Sequence, residues 1–177
     1  MLDKNKIKEA ESNVRGYLSE GLLRKKEPDK KIIDILIKNY KESIKVANLV
    51  YQNNHSDLWA IVCSYYSMYY ISNAVLLKFG YKVGEKISHK VTSDALIVFI
   101  RNKLKSSLIE DYEEVKEEAL KIAGIKADSL LEEFDMERLK REEIQYNTPE
   151  VLKHSKANTS IERAKIFNLE MEKLLID

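Results

Sequence analysis

Apolar positions recur along this chain at the 3.6-residue period of helices, and one stretch departs from that pattern by being apolar on nearly every side. Between Leu58 and Phe79, 17 of 22 residues are apolar or aromatic, and neither Gly nor Pro interrupts them. At 100° per residue, Ala60, Cys63, Ser64, Ser67 and Ala74 form a strip of small side chains, while Trp59, Tyr66, Tyr70 and Leu77 form a bulky one. A helix apolar all round is enclosed by its neighbours. The pattern therefore predicts a central core helix, whose small strip admits a close neighbour and whose bulky strip fills the core. Asp57 is expected as its N-cap and Gly80 as its C′ residue. The length also meets the roughly 20 residues of a membrane span. Four tyrosines stand in the middle of the segment, however, rather than at its ends where an aromatic belt belongs, so no membrane is expected.

Amphipathic stripes place the other elements. Residues 5–23 read as a helix with Ile7, Val14, Leu18 and Leu22 on one face. The charged run 24–31, with Pro28, breaks it. From Lys31 to Gln52 the stripe Ile33, Leu36, Ile37, Tyr40, Ile44, Ala47, Val50 and Tyr51 predicts a helix whose lysines face outward. The short link 53–56 makes it an antiparallel neighbour of the core helix. After a loop from Gly80 to Ile87, Ser88 is expected to cap a helix to about Lys105 that buries Val91, Ala95, Val98 and Phe99. Residues 108–123 form a further helix stopped by Gly124, and another runs from Asp128 or Ser129 to Tyr146. Thr148-Pro149-Glu150 opens a short helical piece. Thr159 and Glu162 have the spacing of a capping box, and the last helix turns Ile161, Ala164, Phe167, Met171 and Leu174 inward. Together these elements predict an all-α, up-and-down helical bundle (29–177) preceded by an N-terminal helical extension (1–28).

Composition narrows this picture only a little. The chain has 177 residues, enough for one core, and its 30 basic groups nearly balance 29 acidic ones. Net charge therefore favours no nucleic acid or membrane partner; only a local patch could. Cys63 is the only cysteine, which excludes an intrachain disulfide and a Cys-based metal site. The N-terminal residues contain no apolar core of a signal peptide, so a cytoplasmic protein is expected.

The helix 128–146 carries the anomaly most relevant to chemistry. Its inward stripe begins with Leu131 and Phe134 and continues at the same angle as Arg138, Arg141 and Gln145. Two readings stand: a helix end emerging from the core with its arginines solvated or paired, or an anion site in which planar guanidinium groups hold phosphate. Of the three histidines, His55 falls in a loop and His89 at a helix start, where a neutral ring can contact a neighbouring helix. His154 lies in the Pro-initiated piece after the Arg-bearing helix and could fold back beside it. No spacing supports a metal site, a phosphate-binding glycine loop or a nucleophile elbow, and no cofactor is expected.

The run WAIVCSYYSMYYISNAVLLKFGYKVGEKISHKV resembles the second and third helices of the small prokaryotic HEPN domains, with an aromatic-rich helix, a Gly, and a Ser-His opening the next helix. LKREEIQYN resembles their Arg helix and SIERAKIFNLEMEKLL their closing helix, so the likeness covers residues 31–175. The resemblance implies an α-helical bundle that pairs as a homodimer. In many members of the family it also implies a metal-independent ribonuclease, often a toxin, built on an Arg followed after four to six residues by a His. The chemistry is coherent: His takes the 2′-OH proton while Arg steadies the phosphate. Here the position five after Arg141 is Tyr146, and seven residues separate Tyr146 from His154. A phenol with an ordinary pKa near 10 is a poor base at neutral pH. The resemblance thus implies a module that binds RNA or a nucleotide through Arg138, Arg141, Gln145 and Tyr146. It further implies a toxin–antitoxin-like pairing with a nucleotidyltransferase, which would modify Tyr146. Two alternatives remain: an active endoribonuclease with Arg141 and either His154 or Tyr146 as catalytic candidates, and a structural dimerisation module.

Overall fold

A computed structural model describes residues 3–122 and 154–176. The first helix, α1 (Lys4–Glu20), starts where the Asp3 carboxylate accepts from Asn5 N–H, and it ends at Gly21, whose φ of 74° needs a residue without a side chain. It stops three residues short of the expected 23. The chain then turns into a short strand, β1 (Leu23–Lys25). After it, Asp29 accepts from Lys31 and Ile32 N–H and opens α2 (Lys30–Gln52). The core helix, α3 (Asp57–Lys78), follows. The expected loop after Gly80 contains a second strand, β2 (Tyr81–Val83), which pairs antiparallel with β1 in the register Leu23 to Val83. This ribbon clips the α1–α2 link to the segment after α3, and sequence reading missed it because neither strand exceeds three residues.

The next segment also departs from a plain helix. Ser88 does not cap it: Ile87 holds that position with φ 43°, and no side chain caps the helix start. Following α4 (Ser88–Ala95), Leu96–Ile100 widens into a π-turn and Arg101–Lys103 tightens into a 3-10 turn. The changed winding buries Leu96, Ile97 and Ile100 and leaves Val98 and Phe99 only half-buried. Two helices complete the described chain, α5 (Ser106–Ile122) and α6 (His154–Ile176). The capping box expected at Thr159 and Glu162 is absent, because α6 already begins at His154. Thr159 lies inside it, donating to Ser155 C=O. Gly124, the helix expected over 128–146 and the Pro149 piece lie outside the described residues.

The architecture is an all-α helical bundle wrapped around α3. Thirteen of its 22 residues are buried. It is long and apolar enough to cross a bilayer, and 72% of that apolar window is buried inside the bundle. Four members of its small strip behave as the pattern predicts, Ala60, Ser64, Ser67 and Ala74 being fully enclosed, but Cys63 is only half-buried and falls beside Trp59 and Tyr66. The serine hydroxyls are satisfied by donating back into the helix, Ser64 to Ala60 C=O and Ser67 to Ser64 C=O. Asn168 of α6 donates to Ser67 Oγ at 3.0 Å, so α6 lies directly on this strip. The bulky strip does not fill the core. Leu77 is 2% exposed, but Trp59 is 58% exposed and Tyr66 and Tyr70 are half-buried. The buried aromatic is Tyr65, one position along, because α5 and α4 pack on that side of the helix. Ala10, Val14 and Tyr17 bring α1 into the same core.

Candidate functional site

Two clusters of polar side chains stand out. In the first, His89 at the start of α4 faces the tyrosines of α3. Its Nδ1 and the Tyr65 hydroxyl share a hydrogen bond of 2.6 Å, and its ring lies 4.8 Å from that of Tyr69. Burial, with the nearby Lys116 ammonium, pushes the His89 pKa below 6.5, and burial keeps the Tyr65 phenol protonated. Beside them Lys116 donates to Ser93 and pairs with Glu113, which also receives Lys6 from α1. Burial acts to raise the Glu113 pKa, but Lys116, Ser93 and Lys6 outweigh it and hold the carboxyl below its usual value. Asp94 accepts from Tyr17 Oη and Asn13 Nδ2. These bonds tie α1, α4 and α5 together beside His89.

The second cluster is open. His154, the first residue of α6, reaches the junction between α2 and α3. Its Nδ1 lies 2.7 Å from Asp57 Oδ1, and its ring stacks on Tyr51 at 4.1 Å with an interplanar angle of 11°. Ser56 makes this contact available: it takes the N-cap, accepting from Trp59 N–H, and so the Asp57 carboxylate expected to cap α3 is left for the imidazole. A carboxylate only accepts, so Nδ1 carries a proton, and in the neutral ring the lone pair sits on Nε2. The ring is 49% exposed. The arrangement can accept a proton at Nε2, or donate from it to an anion once the ring is protonated. Asp57 and Tyr51 were not foreseen in this role; the signal for Asp57 was the Ser-Asp doublet, two candidate caps for a helix that needs one.

Of the site residues expected from sequence, His154 is placed by the structure, and Arg138, Arg141, Gln145 and Tyr146 lie outside the described residues. His55 is exposed in its loop. Among the described residues, no group of three His, Cys, Asp or Glu side chains could hold a metal ion. A groove of about 460 Å³ lies between α5 and α6, and among its lining charges Arg163 pairs with Glu114 and Lys156 with Glu118.

The class defined by these observations is an all-α bundle with a carboxylate-oriented imidazole where three of its helices meet. Comparison with family models, curated proteins and solved structures finds no match to this chain.

Proposed function

We propose that this protein is a HEPN-like helical module that acts as a homodimer and binds RNA or a nucleotide through Arg138 and Arg141, with Gln145, Tyr146 and His154 beside them. What supports the reading is the setting of His154: thirteen positions after Arg141 in the sequence stands a half-exposed imidazole held by Asp57 and Tyr51. An oriented imidazole and two guanidinium groups close together in sequence are a phosphate-recognising set. Arg141→Ala is expected to weaken binding of single-stranded RNA about tenfold or more, the loss of one charged hydrogen bond, and to lower the salt slope of binding by about one. Filter binding at several salt concentrations measures both. Unchanged affinity, with circular dichroism showing an intact fold, overturns the reading and leaves a structural module.

The Asp57–His154 pair also favours a second reading, metal-independent cleavage of RNA. With Nδ1 protonated by its contact with Asp57, Nε2 is the proton acceptor that abstraction of a 2′-OH requires, and Arg141 could steady the phosphate. Incubating the protein with single-stranded RNA in EDTA separates the two. Cleavage lost in His154→Ala and reduced in Asp57→Asn establishes catalysis; binding without cleavage establishes the first reading alone.

A further inference from the structure

We infer that the uncharged side of the α2–α3 pair is the surface through which two copies of this chain associate. The inference takes up the dimer of the reading above but rests on different residues. A third of all residues are charged, yet α3 carries no charge between Asp57 at its first position and Lys78 at its last. On α2, Lys30, Lys31, Asp34, Lys38, Lys41, Glu42 and Lys45 all fall within one third of the helix circumference at 100° per residue. That arc points to solvent and toward α6, where Lys41 pairs with Glu172. The other flank of α2 offers Ile32, Leu36, Asn39, Ser43 and Val46 and no charge at all.

The two uncharged surfaces lie on the same side. On α3, Ser67 faces α6 through Asn168, and Asn73 faces α4 through Thr92. Because α2 runs antiparallel to α3 with α6 against its charged flank, its uncharged flank adjoins the side of α3 between α2 and α4. There α3 presents Trp59, Cys63, Tyr66 and Tyr70. Trp59 is 58% exposed, Val46 is 43% exposed, and Cys63, Tyr66 and Tyr70 are half-buried. Of the described elements α4 reaches its margin, where His89 meets the edge of Tyr66, and Trp59 and Val46 stay open.

Its chemistry selects the occupant. Across a two-fold axis each residue near the axis meets its own copy, so any charge there would face a like charge; an uncharged centre is what such an isologous contact requires. A charged nucleic acid finds nothing to pair with on it. The size is also suitable. A 22-residue helix is about 33 Å long, and two helices 8–10 Å apart give a footprint on the order of 600 Å², close to the ~800 Å² that each partner contributes to a stable interface.

Sedimentation equilibrium tests this. The full-length protein should weigh about 41 kDa, twice its 20.6 kDa chain mass. Trp59→Glu combined with Val46→Glu should give the monomer with its helical signal retained and with Cys63 reacting faster with a thiol reagent. Leu169→Glu, equally exposed but on α6, should remain dimeric. If the double variant loses its helical signal, Ile35→Lys carries the test: its native side chain is 58% exposed at the edge of the face, and it should raise the dimer dissociation constant severalfold. A wild-type monomer overturns the inference and would mean that the chain's own residues, or another protein, cover the face. So would a dimer that survives these substitutions, or one that Leu169→Glu disrupts equally. A monomer that still binds RNA overturns this inference and the homodimer of the proposed function but leaves its RNA binding standing; a dimer that binds none overturns the proposed binding and leaves this inference standing.

Discussion

His89 illustrates how burial turns one side chain into a pH-dependent element of stability. Its pKa in the folded chain lies below the ordinary 6.5, from burial first and the Lys116 charge second. The unfolded chain therefore binds more protons in the window below pH 6.5, and stability rises with pH there. The stabilisation from a neutral His89 is complete above pH 6.5 and is lost as pH falls through the folded value. Glu113, held low by Lys116, Ser93 and Lys6 against its burial, acts in the same direction at more acidic pH, losing its contribution below 4.5. Asp94, raised by burial against the bonds from Tyr17 and Asn13, acts in the opposite direction. Facing His89 are Tyr65, Tyr66 and Tyr69 from α3 and Lys116 from α5. The melting temperature should fall as pH is lowered from 7 to 5. His89→Gln, which retains a polar partner for Tyr65, should flatten that fall; an equally steep decline in the variant would assign the effect elsewhere.

Among the elements, the β1–β2 ribbon shows most directly what local sequence does and does not carry. Gly84 N–H donates to Leu22 C=O at 2.8 Å, and a methyl group on Gly84 would stand 3.0 Å from that same oxygen. Gly84→Ala should therefore cost about 1–3 kcal/mol, since the obstacle is backbone that cannot turn aside. Gly16→Ala, in α1 with nothing within 4 Å, should instead stabilise by about 0.5–1 kcal/mol. Urea melts of the two variants should move in opposite directions. The helices themselves were legible because each carries many repeats of its period: α2 and α3 fall within a residue of their expected bounds. The ribbon was not, since three residues make no pattern and the pairing joins positions 60 apart (Leu23 and Val83). The capping box was misread because Thr159 and Glu162 fit a cap locally, whereas the helix already runs from His154 through Thr159. At the open site the histidine was legible as a candidate, but its partners Asp57 and Tyr51 were not; only the folded chain brings residues 97 apart within 2.7 Å.

For the molecule as a whole, the two faces of α3 have different partners. Its small strip is met by α2 and by α6, whereas its aromatic side is left partly open, with Trp59 58% exposed and Tyr66 touching α4 at His89. The misassignment of Trp59, Tyr66 and Tyr70 to the core has that origin: periodicity tells how bulky a face is, not whether a neighbour exists to cover it. The seat of α6 has a consequence in the cell as well. Asn168 closes onto Ser67 from 101 residues further along, so α3 leaves the ribosome well before the helix that covers it. At about 5–20 residues per second, the interval between the end of α3 and the start of α6 lasts roughly 4–15 s. Throughout it the nascent chain displays an apolar strip with only α2 to shield it, a natural docking point for chaperones during synthesis.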